Sequence, residues 1–297
     1  MYDSQKEEKK LKRKLFFKFF NYNFLKDRNI EYKEFRYGDN KRDYYRVYKG
    51  YDKRKPTIFF IYSGGLWNGS PKGCAAIGKF FYKYGFTVVI PSYELAPEHK
   101  YPVQMENIFS AFKHYVENNK PNRIVVMGYS SGADLAANLV YNEDMKEKFN
   151  IDTSIISSFI TLGGTLDFSQ CNSKEYEKYI KKYLYGKEQI FDVNPINLLK
   201  EDSPKIPVLC VHGARDSIVS YENSKRFVEK VNKFKGDGQF LKLEGYQHLD
   251  LLNLFIGVGN EKTGDIMSFI NIFLFNLSFF LFWNLLSTLS IITLVAE

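Results

Sequence analysis

Apolar residues in this chain fall into short continuous runs separated by longer stretches with helical spacing. Residues 56–62 (PTIFFIY), 86–91 (FTVVIP), 124–127 (IVVM), 155–162, 208–211 (VLCV) and 239–243 have the length and β-branched or aromatic character of strands. Residues 71–84, 103–118, 131–141 and 221–234 carry apolar positions at helical intervals, as in Val103, Ile108, Phe109, Phe112 and Val116. Residues 30–48 alternate as two strands around the turn Tyr37-Gly38-Asp39-Asn40. Regular strand–helix alternation predicts an α/β fold, with a mostly parallel sheet covered by helices on both faces. Its strands are continuous rather than alternating because both faces are buried.

Three stretches break that rhythm. Residues 1–28 are lysine-rich and then aromatic, and read as a basic helix packed on the domain or lying on a membrane surface. The apolar run there is short and broken by Lys18, which does not fit a signal peptide. Residues 169–203 are polar and Tyr/Lys-rich with Asn194-Pro195 and Ser203-Pro204 breaks, and are expected to cap the site. No charged residue occurs from Ile266 to Ala296. A closing helix over about 263–275 leaves residues 276–297 as a tail near the ~20 residues a membrane span needs. The expected organisation is thus 1–28, a catalytic domain over 29–275 and a tail that either anchors the chain in a membrane or packs as a helix. The catalytic domain itself is expected in the cytoplasm.

Composition adds little. The net charge of +8 comes largely from the first 28 residues, and no nucleic-acid-binding module is recognisable. Cys74, Cys171 and Cys210 form no close-spaced pair, which fits reducing conditions and no structural metal.

The chemistry concentrates at strand ends. Gly128-Tyr129-Ser130-Ser131-Gly132 lies between an apolar strand and an Ala/Leu-rich helix. This is the setting of a nucleophile elbow, whose sharp turn exposes the serine hydroxyl. A serine hydroxyl is weak at neutral pH and needs a base, and the base needs an orienting acid. Asp216 and His248 each follow a strand, completing the order Ser, Asp, His. Asp167 is the alternative acid and His212 the alternative base, though a histidine inside its strand is held away from the serine. Asp134, four residues past the nucleophile, is structural or substrate-facing; His114 is a surface or interhelix residue. Ser63-Gly64-Gly65-Leu66-Trp67 follows another buried strand, and its glycines leave backbone N–H groups open to an oxyanion. The donors are then Gly64, Gly65 and Ser131, with Trp67 and Tyr129 placed to contact substrate.

These motifs resemble a known group. Ser63-Gly64-Gly65-Leu66-Trp67 resembles the His-Gly-Gly-x-Trp motif of the kynurenine formamidase and BD-FAE-type esterase branch of the α/β-hydrolases. Tyr93-Glu94-Leu95-Ala96-Pro97-Glu98 is similar to the Tyr-x-Leu-Ala-Pro-Glu of hormone-sensitive-lipase-like esterases. Residues 130–136 resemble the formamidase elbow. The resemblance, over about 30–255, implies an α/β-hydrolase fold and hydrolysis of a small-molecule carboxylic ester or formyl amide without cofactor or metal. Ser63 stands where the family has histidine, removing one support of that loop, and Asp134 replaces a neutral or basic residue. The leading expectation is a serine carboxylesterase. Kynurenine formamidase activity and a catalytically silent binding scaffold are the alternatives.

Overall fold

The computed structural model describes residues 29–170, 174–186, 189–255 and 262–271. Segment 1–28 and the tail 276–297 lie outside the described residues, and among the described residues no helix is long and apolar enough to cross a membrane. Two compact units divide the chain, Met1–Val258 and Gly259–Glu297. In the second, residues 262–271 are helical, close to the expected closing helix.

The first unit is built on an eight-stranded sheet in the order β1-β2-β4-β3-β5-β6-β7-β8. The strands are β1 (Lys33–Arg36), β2 (Tyr44–Tyr48), β3 (Thr57–Ile61), β4 (Val88–Pro91), β5 (Ile124–Tyr129), β6 (Ile156–Leu162), β7 (Val208–Gly213) and β8 (Gly238–Leu243). Only the β1/β2 and β2/β4 pairs are antiparallel; all others run parallel. Every residue of β3, β4, β5 and β7 is buried. Successive side chains in a strand point to opposite faces, so both faces must be covered, and helices on both faces supply that cover.

Those helices are α1 (Ala75–Lys83), α2 (Val103–Asn119), α3 (Ser131–Tyr141), α4 (Glu143–Phe149), α5 (Lys174–Tyr183) and α6 (Glu222–Lys233). Aromatic contacts mark where they dock. Phe59 of β3 meets Phe112 of α2 edge-on at 5.4 Å, and Phe159 of β6 meets Phe227 of α6 at 6.1 Å. Phe80 and Phe81 of α1 meet Phe255 at 5.3 and 5.5 Å.

Two of these six helices lay outside the expected elements. Helix α4 follows directly on α3 and starts with an N-cap from the Asn142 side chain to Met145 N–H, 3.1 Å. Helix α5 lies within residues 169–203, the polar, Tyr/Lys-rich segment expected to cap the site; Tyr179, Ile180 and Tyr183, all buried, form its apolar stripe. Lysines and glutamates around that stripe hid a helical period that was present in the sequence.

Because β3, β5, β6 and β7 are parallel, their carboxyl ends lie on one edge of the sheet. In such sheets that edge collects the reactive groups. Phe59→Ala, which removes a fully buried ring between β3 and α2, should cost about 3–5 kcal/mol. The shift in urea midpoint, at unchanged m-value, measures it.

Candidate active site

β5 ends on Tyr129, and α3 begins at Ser131. Ser130 between them has φ 52 and ψ −124, a conformation that non-glycine residues rarely hold. Its N–H donates to Leu162 O at 2.9 Å, and its carbonyl accepts the N–H of Ala133 at 2.9 Å. The flanking glycines have the steric role expected of them. A Cβ on Gly128 would lie 2.5 Å from Ala133 Cα, and one on Gly132 would lie 2.3 Å from Ile61 O.

The turn delivers the Ser130 hydroxyl to His248. Ser130 Oγ is 2.8 Å from His248 Nε2, and His248 Nδ1 is 2.6 Å from Asp216 Oδ2. With Nδ1–H donating to the carboxylate, Nε2 is left as acceptor for the hydroxyl proton. Ser130, His248 and Asp216, separate in sequence, are therefore joined in one hydrogen-bonded chain. The alternative acid Asp167, and His114, are held elsewhere. Asp167 pairs with Arg226 Nε at 2.9 Å and accepts from Ser169. His114 Nδ1 meets the Tyr45 hydroxyl at 2.9 Å.

Asp216 is the most heavily bonded member. Its Oδ1 accepts the N–H groups of Ile218 and Val219, both at 2.9 Å. His212 Nε2 lies 3.2 Å from Oδ2 and 3.0 Å from Val219 O, while its Nδ1 meets Ser224 Oγ at 2.7 Å. Burial alone would push the Asp216 carboxyl up. Hydrogen bonds from His212 and His248, the charge on His248 and the Val219 N–H outweigh it and hold the group below its ordinary value. His212 is thus a second histidine on the Asp216 carboxylate. The four-residue spacing from His212 to Asp216 was visible in the sequence; the tight turn that folds one back on the other was not.

Tyr129 also does more than line the site. Its hydroxyl donates to His248 O at 3.1 Å, and its ring stacks on the imidazole at 5.3 Å. The residue before Ser130 thereby holds His248 from behind.

The loop after β3 runs through positive φ at Gly64 (140), Gly65 (61) and Leu66 (63). Among the described residues neither the Gly64 nor the Gly65 N–H donates to a protein acceptor. Ser63 cannot brace this loop as a histidine would, and other groups do. Tyr93 stacks on Tyr62 at 4.4 Å and donates its hydroxyl to Tyr62 O at 2.9 Å. Ala96 N–H donates to Leu66 O at 2.8 Å, and Asn68 N–H to Gly64 O at 3.1 Å.

Gly64, Gly65, Ser131, Ser130, His248, Trp67 and Tyr129 all line one cavity of about 540 Å³. Its other walls include Ile218, Val219, Leu249, Leu252 and Tyr179. Among the described residues no cluster of His, Cys, Asp and Glu has the arrangement of a metal site. Cys210 is a buried core residue with its thiol pushed up to about 12 by burial, and Cys74 borders the cavity; both are free.

Fold and relay together define an α/β-hydrolase-type protein. The sequence model of the BD-FAE family matches residues 43–231, and the chain belongs to that family. Among curated relatives, the esterase LipC of Mycobacterium tuberculosis is 25% identical over 267 residues, covering 80% of this chain and 63% of its own length. An esterase of Acinetobacter venetianus is 26% identical, covering 71% and 73%. A probable isoprenylcysteine alpha-carbonyl methylesterase of Oryza sativa is 22% identical, covering 79% and 62%. The chain thus spans less than two thirds of two of these proteins. The same fold occurs in esterase B of Lactobacillus rhamnosis, with TM-score 0.73, 14% identity and coverage of 93% and 98%. It also occurs in a truncated carbohydrate esterase from gut microbiota, with TM-score 0.69, 18% identity and coverage of 82% and 97%.

One buried carboxyl near the site titrates abnormally. Asp134 is fully enclosed, and burial pushes it up to about 8 against the opposing hydrogen bonds of Tyr179 and Asn138. In the unfolded chain the group ionises near ~3.9. Between those values the unfolded state sheds a proton that the native state keeps, so stability falls as pH rises and levels off above about 8. Asp134→Asn lacks that proton. Its stability relative to the native sequence should grow from pH 5 to pH 8, read from urea unfolding of both proteins at the two pH values.

Proposed function

We propose that this protein is a serine hydrolase that cleaves carboxylic esters through an acyl-enzyme on Ser130. The observation that carries the proposal is the relay from Ser130 Oγ through His248 to Asp216, opening on a cavity with apolar walls. The ester-cleaving names of the relatives support the same reaction class.

In this mechanism the Ser130 oxygen attacks the ester carbonyl while its proton passes to His248 Nε2. The imidazolium so formed is stabilised by Asp216, which remains ionised because its native environment favours the carboxylate. Negative charge develops on the former carbonyl oxygen, where the N–H groups of Ser131, Gly64 and Gly65 receive it. A donor of this kind is worth roughly 2.7–4 kcal/mol in the transition state. Collapse of the tetrahedral species breaks the ester C–O bond, and His248 returns the proton to the departing alcohol. Water then attacks the acyl-enzyme by the same route, with His248 again as base, releasing the acid and free Ser130.

The walls favour a small or medium apolar acyl group. The polar side chains on the walls, Ser63, Asn68, Ser70 and Thr165, carry no formal charge, so the proposed substrate is an uncharged small-molecule ester. Tyr129 and Trp67 are proposed to contact it.

A fluorophosphonate should label the native protein and leave Ser130→Ala unlabelled; labelling that persists in the variant refutes the nucleophile. Asp216→Asn should lower kcat on p-nitrophenyl acetate by roughly 10³–10⁴. N-formylkynurenine, assayed in parallel, should be a poor substrate; turnover of it alone would replace the ester proposal with formamidase. Labelling and turnover both absent from the native protein would leave the silent scaffold.

A further inference from the structure

Helix α5 is studded with lysine and glutamate, yet one of its tyrosines is buried against the elbow helix. Tyr179 is 5% exposed, and its hydroxyl donates to Asp134 Oδ2 at 2.9 Å. Asp134 lies in the first turn of α3, the helix that starts immediately after Ser130. A carboxyl with no exposure is costly to enclose. Its hydrogen-bond partners among the described residues are neutral: Tyr179, and Asn138 Nδ2 at 3.0 Å from Oδ1.

These partners are fixed in turn. Asn142 Nδ2 donates to Asn138 Oδ1 at 3.0 Å, and Asn142 Oδ1 accepts Met145 N–H at the start of α4. A line of oriented amides therefore runs down α3 and ends on the carboxyl that holds Tyr179. On the other side, the Tyr179 ring forms part of the cavity wall. It packs beside Trp67 at 6.2 Å, Phe168 at 6.0 Å and Tyr183 at 5.5 Å. An apolar residue at 134 would satisfy the core without an enclosed carboxyl, but it could not fix the tyrosine hydroxyl.

We propose that Asp134 is a positioning residue that, through the Tyr179 hydroxyl, locks the aromatic wall of the cavity to the nucleophile helix and so limits the acyl chain the site accepts. The inference rests on the ester-hydrolase proposal for its substrate but not for its geometry. With the hydroxyl held, the ring cannot withdraw when a long chain enters. With it released, the ring swings back and the cavity lengthens.

The test compares p-nitrophenyl acetate, butyrate, octanoate and decanoate on the native protein, Tyr179→Phe, Asp134→Leu and Asp134→Asn. Tyr179→Phe and Asp134→Leu should raise the decanoate-to-acetate ratio of kcat/KM by about fivefold to tenfold, the scale of one net hydrogen bond. The change should lie in KM for the long esters. Asp134→Asn keeps an oxygen that accepts the tyrosine proton and should keep the native ratio. A ratio unmoved in the first two variants, or moved equally in all three, overturns the proposal. So does a uniform fall in kcat on every ester, which marks a purely structural role. If the native protein cleaves none of the esters, the ester proposal fails by itself. The wall is then read from the relative rates at which ethyl and decyl fluorophosphonates label Ser130, with the same shift expected. Absence of labelling in the native protein overturns both. Two variants at different ends of the contact keep the test open if one fails to fold.

Discussion

Everything in the site depends on how tightly the backbone is forced through Ser130. A serine at φ 52, ψ −124 is strained, and such strain persists only where the surroundings over-determine it. Three constraints meet there. β5 is held in register between β3 and β6, Ser130 N–H is bonded to the end of β6, and α3 is pressed so close to β3 that Gly132 has no room for a side chain. The sheet supplies the rigidity and the turn spends it on exposing one hydroxyl.

The same economy governs the base and the acid. His248 sits in the short helical turn Asp216 faces, with Tyr129 donating to its carbonyl and Asp216 accepting from its ring. Asp216 accepts from two backbone N–H groups and stands beside two histidines. His248 and Asp216 are thus each fixed by at least two partners, and fixed groups of this kind are what the proposed proton transfer requires. The loop through Gly64 and Gly65 follows the same rule by another route, since the Tyr62–Tyr93 stack does the bracing near Ser63.

Much of this was legible in the chain. Continuous β-branched runs announced buried parallel strands, and the Gly-x-Ser-x-Gly spacing located the turn, because a close helix–strand approach excludes side chains whatever the rest of the fold. The strand-end positions of Asp216 and His248 followed from the edge at which a parallel sheet gathers its reactive groups. Helix α5 was harder: lysines and glutamates mask the Tyr179, Ile180, Tyr183 stripe when composition is weighed before period.

What the chain determined by itself is local: strand identity, the elbow, and which residue types could act together. Those properties depend on periodicity and on sterics within a few residues. What only the tertiary structure decided are the partners brought together across the sheet order. His212 on Asp216, Tyr129 behind His248 and Tyr179 on Asp134 each join groups whose chemistry is ordinary until folding places them within hydrogen-bond reach. Each contact depends on a turn or crossover whose geometry is set by packing, and hydrogen bonds are too short-ranged and directional for sequence distance to stand in for spatial distance.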